Sequence, residues 1–93
     1  MNLKKIILEE VDNLQWMKDI ALPITKDNLH IGMGVRLSQD SIFYKYGEEG
    51  DETNPINVTG TIVNYIYDYI LPIGVRWDNG FDNNYSYEDL VTR

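Results

Sequence analysis

The chain has 93 residues, a formal net charge of −7 and an apolar fraction of 43%, which is enough for one folded domain and too little for two. It has no cysteine, so disulfides, thiolate zinc sites and cysteine nucleophiles are excluded. Eight Lys and Arg scattered among fifteen Asp and Glu supply no basic face for nonspecific nucleic-acid binding. No apolar run is long enough to span a bilayer. Glu9 and Glu10 interrupt the opening apolar residues too soon for a signal-peptide core, so a cytoplasmic location is expected.

Residues 1–22 are predicted as an N-terminal amphipathic helix. Leu3, Ile6, Ile7, Val11, Leu14 and Met17 fall in one stripe at 100° per residue. Trp16 and Ile20 lie nearly opposite that stripe. Two readings fit this second patch: Trp16 folds under the following loop, or it contacts a partner or another copy. Pro23 closes the helical region, and residues 23–30 read as a connector. His30 is the lone histidine and has no second histidine or cysteine for a metal site.

Residues 31–93 read as a string of short strands. Ile31–Ser38 is the first, with Val35 and Leu37 on one face and Arg36 on the other. Gly32 and Gly34 mark a bend or a close backbone approach. Residues 47–57 are polar, acidic and rich in breakers, which predicts a long exposed loop. Its carboxylates Glu48, Glu49, Asp51 and Glu52 match no cation-loop spacing, so no metal is expected. Asn57–Asp68 is the second strand, with a bulge or bend expected at Gly60. Leu71–Phe81 is the third, with Ile73, Val75 and Trp77 on its apolar face. Asp78-Asn79-Gly80 is a turn signal, followed by a return strand and a short helical turn or strand ending in Leu90 and Val91. Together these predict a mainly β chain with one N-terminal α-helix, folded as a small, strongly bent barrel.

The order Gly32-Met-Gly-Val-Arg-Leu, Gly60-Thr-Ile-Val, Val75-Arg-Trp-Asp-Asn-Gly and Tyr85…Asp89-Leu90 resembles SH3-like β-barrels. It is most similar to the MIB/HERC2 domain and more distantly to Tudor-like barrels. The helix-then-acidic-barrel layout also resembles small phage accessory proteins. These resemblances imply binding of protein segments.

The aromatic residues exceed what a small barrel can enclose, and Tyr is enriched at interfaces. The expected binding residues are Trp16, Phe43, Tyr44, Tyr46, Arg76, Phe81, Tyr85 and Tyr87, on a surface formed by the 43–46 loop and the 81–87 hairpin. Alternatively, the Tyr rings close the barrel ends. Three functions follow. The first is a non-enzymatic interaction module that binds a protein segment and uses its helix for self-association or docking. The second is a phage-type sponge that holds a small signalling nucleotide between subunits, with Arg36, Lys45, Arg76 or Arg93 on its phosphate. The third, an enzyme, finds no nucleophile, base or carboxylate pair in a recognisable arrangement. No cofactor is implied.

Overall fold

The computed structural model describes residues 21–93. The predicted helix, Trp16 included, lies outside the described residues up to position 20. Five strands form one antiparallel sheet: β1 Gly34–Leu37, β2 Gly60–Tyr65, β3 Ile73–Trp77, β4 Asp82–Tyr85 and β5 Leu90–Thr92. Their order is β4-β3-β2-β1-β5. The chain is therefore mainly β, but the sheet is not closed into a barrel. A single 3₁₀ turn, Tyr87–Asp89, carries the chain from edge strand β4 to edge strand β5, which pairs with β1 rather than with β4. Among the described residues no helix is long and apolar enough to cross a membrane.

The alternation read on β1 and β3 holds. Val35 and Leu37 are buried and Arg36 is exposed; Ile73, Val75 and Trp77 are buried and Arg76 is exposed. With Ile24, Ile62, Tyr85 and Leu90 they form the core. Each such aliphatic burial stabilises the fold by about 1.5–3 kcal/mol. Val91, next to buried Leu90, is only half-buried.

β2 departs from expectation. Its irregularity lies between Ile62 and Asn64, not at Gly60. The strand ends at Tyr65, and Ile66 lies beyond it and is exposed. Gly60 has a different role. A Cβ there would stand 2.6 Å from Cε3 of Trp77 and 2.8 Å from Cγ1 of Val75, so the indole packs close against bare backbone. At the β3–β4 turn only Gly80 takes a positive φ, of 99°. Its N–H donates to the Trp77 carbonyl at 2.9 Å, and the Trp77 N–H donates to the Phe81 carbonyl at 2.8 Å. This is a turn followed by a glycine bulge, in which Asn79 needs no left-handed backbone.

The connector is part of the fold. Pro23 bridges Val91. The Thr92 N–H donates to the Leu22 carbonyl at 2.7 Å, and the Leu22 N–H donates to Thr92 Oγ1 at 3.0 Å. Ile24 sits in the core.

The expected loop at 43–46 is a helix, α1, Ile42–Glu48. Ser41 starts it in extended geometry, and its Oγ accepts from the Phe43 N–H at 3.0 Å, which satisfies an otherwise orphaned donor. Ser41 Oγ also donates to Asp89 Oδ1 at 2.8 Å. Asp89 Oδ2 accepts from the Ser86 N–H and hydroxyl, both at 3.0 Å. One buried carboxylate thus joins the start of α1 to the 3₁₀ turn.

Candidate functional site

The predicted binding residues separate into two groups. Tyr85 belongs to the interior. Its ring is 0% exposed and meets Trp77 and Phe43 edge-on, at centroid distances of 5.7 and 5.6 Å. Its hydroxyl accepts from Trp77 Nε1 at 3.1 Å. It lies 2.7 Å from Asn54 Oδ1 and 3.0 Å from the Thr53 carbonyl. Burial pushes its pKa up to about 12. The parity of β4 decides this placement: Tyr85 lies opposite Ile73 and shares its inward face.

The same contacts tie down the acidic loop. Asn83 Nδ2 donates to the Thr53 carbonyl at 2.8 Å and to Asn54 Oδ1 at 3.1 Å. Asn54 Nδ2 donates to Asp51 Oδ2 at 2.9 Å, and the Thr53 N–H donates to Asp51 Oδ1 at 2.9 Å. Hydrogen bonds from the Thr53 hydroxyl, the Asn54 amide and the Thr53 N–H hold the Asp51 carboxyl below the usual range. Both oxygens of Asp51 therefore have donors from the loop itself. Among the described residues no three His, Asp or Glu side chains converge as metal ligands.

Arg76 is exposed, and its fork is filled by Asp82: Nε and Nη2 donate to Oδ1 and Oδ2 at 3.0 and 3.2 Å. This contact raises the Arg76 pKa and lowers that of Asp82. Phe43 and Tyr44 are half-buried against the core, whereas Tyr46 and Phe81 are more exposed. Phe81 lines a separate cavity with Pro55 and Val58. The half-buried Tyr87 has its hydroxyl 3.1 Å from that of Tyr65. Hydrogen bonding to Tyr65 is the largest cause of its raised pKa. The seven of these residues that the structure describes do not line one cavity: Tyr44, Phe81 and Phe43 each belong to a different one.

A different set does converge. Three connections meet on one side of the sheet: the start of α1, the β2–β3 connection and the 3₁₀ turn. Between them lies a cavity of about 370 Å³ lined by Ile42, Phe43, Ile70, Leu71 and Glu88, with Asp40 at its rim. Ile42 is 74% exposed and Ile70 is 92% exposed. Tyr67, on the same connection as Ile70, is 82% exposed, and Tyr69 is also exposed. The connection has internal order: the Ile66 N–H donates to the Pro72 carbonyl at 2.8 Å, and the Tyr69 N–H to the Ile66 carbonyl at 3.1 Å. Asn84 Nδ2 donates to the Leu71 carbonyl at 3.3 Å, pinning the connection to β4.

The residues expected from the sequence, Trp16, Phe43, Tyr44, Tyr46, Arg76, Phe81, Tyr85 and Tyr87, do not include Ile42 and Ile70. The available signal was aliphatic residues within otherwise polar or tyrosine-rich connections, Ile42 after Asp40-Ser41 and Ile70-Leu71 after Tyr67-Asp68-Tyr69. Compared with known proteins, the chain matches no family model, no curated protein and no solved structure.

Proposed function

We propose that the protein is a non-enzymatic interaction module whose groove between α1, the β2–β3 connection and the 3₁₀ turn binds a segment of another protein. The observation that carries this reading is the pair Ile42 and Ile70, left exposed at the mouth of one cavity. Exposed aliphatics grouped around a concavity mark interaction surfaces, because covering them releases water at no cost in polar desolvation. The finer fold reading, an SH3-like barrel, draws support from the sheet order and from the one-turn helix that precedes a last strand lying beside the first. The N-terminal segment stays in this proposal as the element for self-association or docking.

The test is selection of a displayed peptide library on the full chain, repeated with Ile70→Glu and Ile42→Glu. Peptides retained by the wild type and lost on both variants support the groove. Peptides retained equally by all three place the binding elsewhere, and an empty selection overturns the module reading.

The nucleotide-sponge reading has one observation behind it: Arg36, Ser38 and Tyr44 line a second cavity of about 410 Å³. Nucleotide-dependent thermal stabilisation lost on Arg36→Ala would establish it. Arg76 no longer serves that reading, because Asp82 occupies its fork.

A further inference from the structure

We infer that the groove selects a cationic segment, one with an aliphatic anchor flanked by Lys or Arg; this rests on the module reading above. The cavity wall is apolar, from Ile42, Phe43, Ile70 and Leu71, and its charged residues are Asp40, Glu88 and Asp89. Asp89 is already committed to Ser41 and Ser86. Asp40 and Glu88 are exposed, and among the described residues neither carboxylate has a basic partner. Asp68 adds a third exposed carboxylate between Tyr67 and Tyr69.

The bases of residues 21–93 do not line this cavity. Arg36 lines the other one, Arg76 is held by Asp82, and the Arg93 side chain lies along Gly34. Lys26 lies in the N-terminal turn region. Lys45 is one helical turn along from Ile42 but off the lining. A cavity whose exposed aliphatics stand beside carboxylates, with Asp40, Glu88 and Asp89 as its charged lining, fits a segment whose aliphatic anchor meets Ile42 and Ile70 while its ammonium or guanidinium groups meet Asp40 and Glu88. The exposed rings of Tyr67 and Tyr69 offer further faces to those cations.

The same field disfavours other occupants. A second copy docked by its own acidic surface would set like charges against Asp40 and Glu88 at this groove. Nucleic acid and anionic membrane meet carboxylates where they need bases. The chain's own Lys4 and Lys5, beside Leu3 and Ile6, have the matching chemistry and are a distinct outcome below.

The experiment uses the full ¹⁵N-labelled chain. It is titrated with a short peptide that carries two lysines on each side of a Leu-Ile pair, and with a matched peptide in which glutamates replace the lysines. The expected result is saturable shifts of the amides at 42–43, 70–71 and 88 with the lysine peptide alone. Binding weakens about fivefold in Asp40→Asn/Glu88→Gln and at raised salt, as two exposed ion pairs imply. Both positions are exposed, so the fold should survive the exchange. Equal binding of both peptides at these amides overturns the cationic selectivity and leaves the groove intact. Shifts confined to other amides overturn both readings. Contacts between residues 1–8 and Ile70 in the peptide-free chain, with no displacement by the lysine peptide, assign the groove to the chain's own segment and overturn the inference.

Discussion

Replacing Tyr85 by Phe isolates a single hydroxyl. The ring keeps its edge-on contacts with Trp77 and Phe43. What disappears is an acceptor for Trp77 Nε1 and a donor to the carbonyl groups of Thr53 and Asn54. Asn54 Oδ1 still accepts from Asn83 Nδ2, whereas the indole N–H of Trp77, itself 1% exposed, loses the partner shown. A net hydrogen bond contributes about 1 kcal/mol, and an orphaned buried donor costs about 1–3. The expected loss is therefore roughly 2–3 kcal/mol, or on the order of 10–20 °C in Tm for a domain of this size.

Urea unfolding followed by circular dichroism measures that loss. Limited proteolysis within 48–57 should quicken in parallel, because the loop loses a tether. The wild type carries a second signature. Its folded-state pKa of about 12 lies above the unfolded value of about 10. Its stability contribution is therefore full below pH 10 and is lost as pH rises from 10 to 12, by roughly 2–3 kcal/mol. The Phe variant should lack that alkaline component. A loss below about 0.5 kcal/mol with unchanged proteolysis would refute the tethering argument.

Three further outcomes follow from local geometry. Ser41→Ala removes the cap of α1 and one donor to buried Asp89, so chemical denaturation should show a loss of about 1–3 kcal/mol. Gly60→Ala drives a methyl into Trp77 and Val75; a cost of about 1–3 kcal/mol and a changed near-ultraviolet aromatic spectrum are expected. Arg76→Ala breaks a solvent-screened pair whose side chains are 62% and 56% exposed, so thermal unfolding should show little or no change in Tm.

Period-2 alternation made β1 and β3 legible, since Val35, Leu37, Ile73, Val75 and Trp77 have polar or glycine neighbours. The 78–80 turn was equally plain. α1 was hidden because Phe43, Tyr44, Tyr46 and Gly47 are weak helix formers; its signal was the single cap Ser41. The β2 irregularity left no mark that separates it from Gly60, because a bulge depends on its partner strand. The inward turn of Tyr85 was not legible for a related reason. An amphipathic ring suits both core and surface, and only the register opposite Ile73 sends Tyr85 inward. The groove is assembled from three connections far apart in the chain, so no local pattern could group Ile42 with Ile70.

The pairing of residues 22–24 with β5 also governs how the chain can be cut. A truncation starting at Asn28 would remove Ile24 from the core and bare the outer edge of a three-residue strand. Unpaired edges template association between chains, so such a fragment would self-associate for reasons unrelated to the native assembly. Proline at position 23, which has no N–H to offer a further strand, blunts that edge in the intact protein. A cut before Ala21 spares this guard, and only that boundary separates the role of the first twenty residues from damage to the sheet.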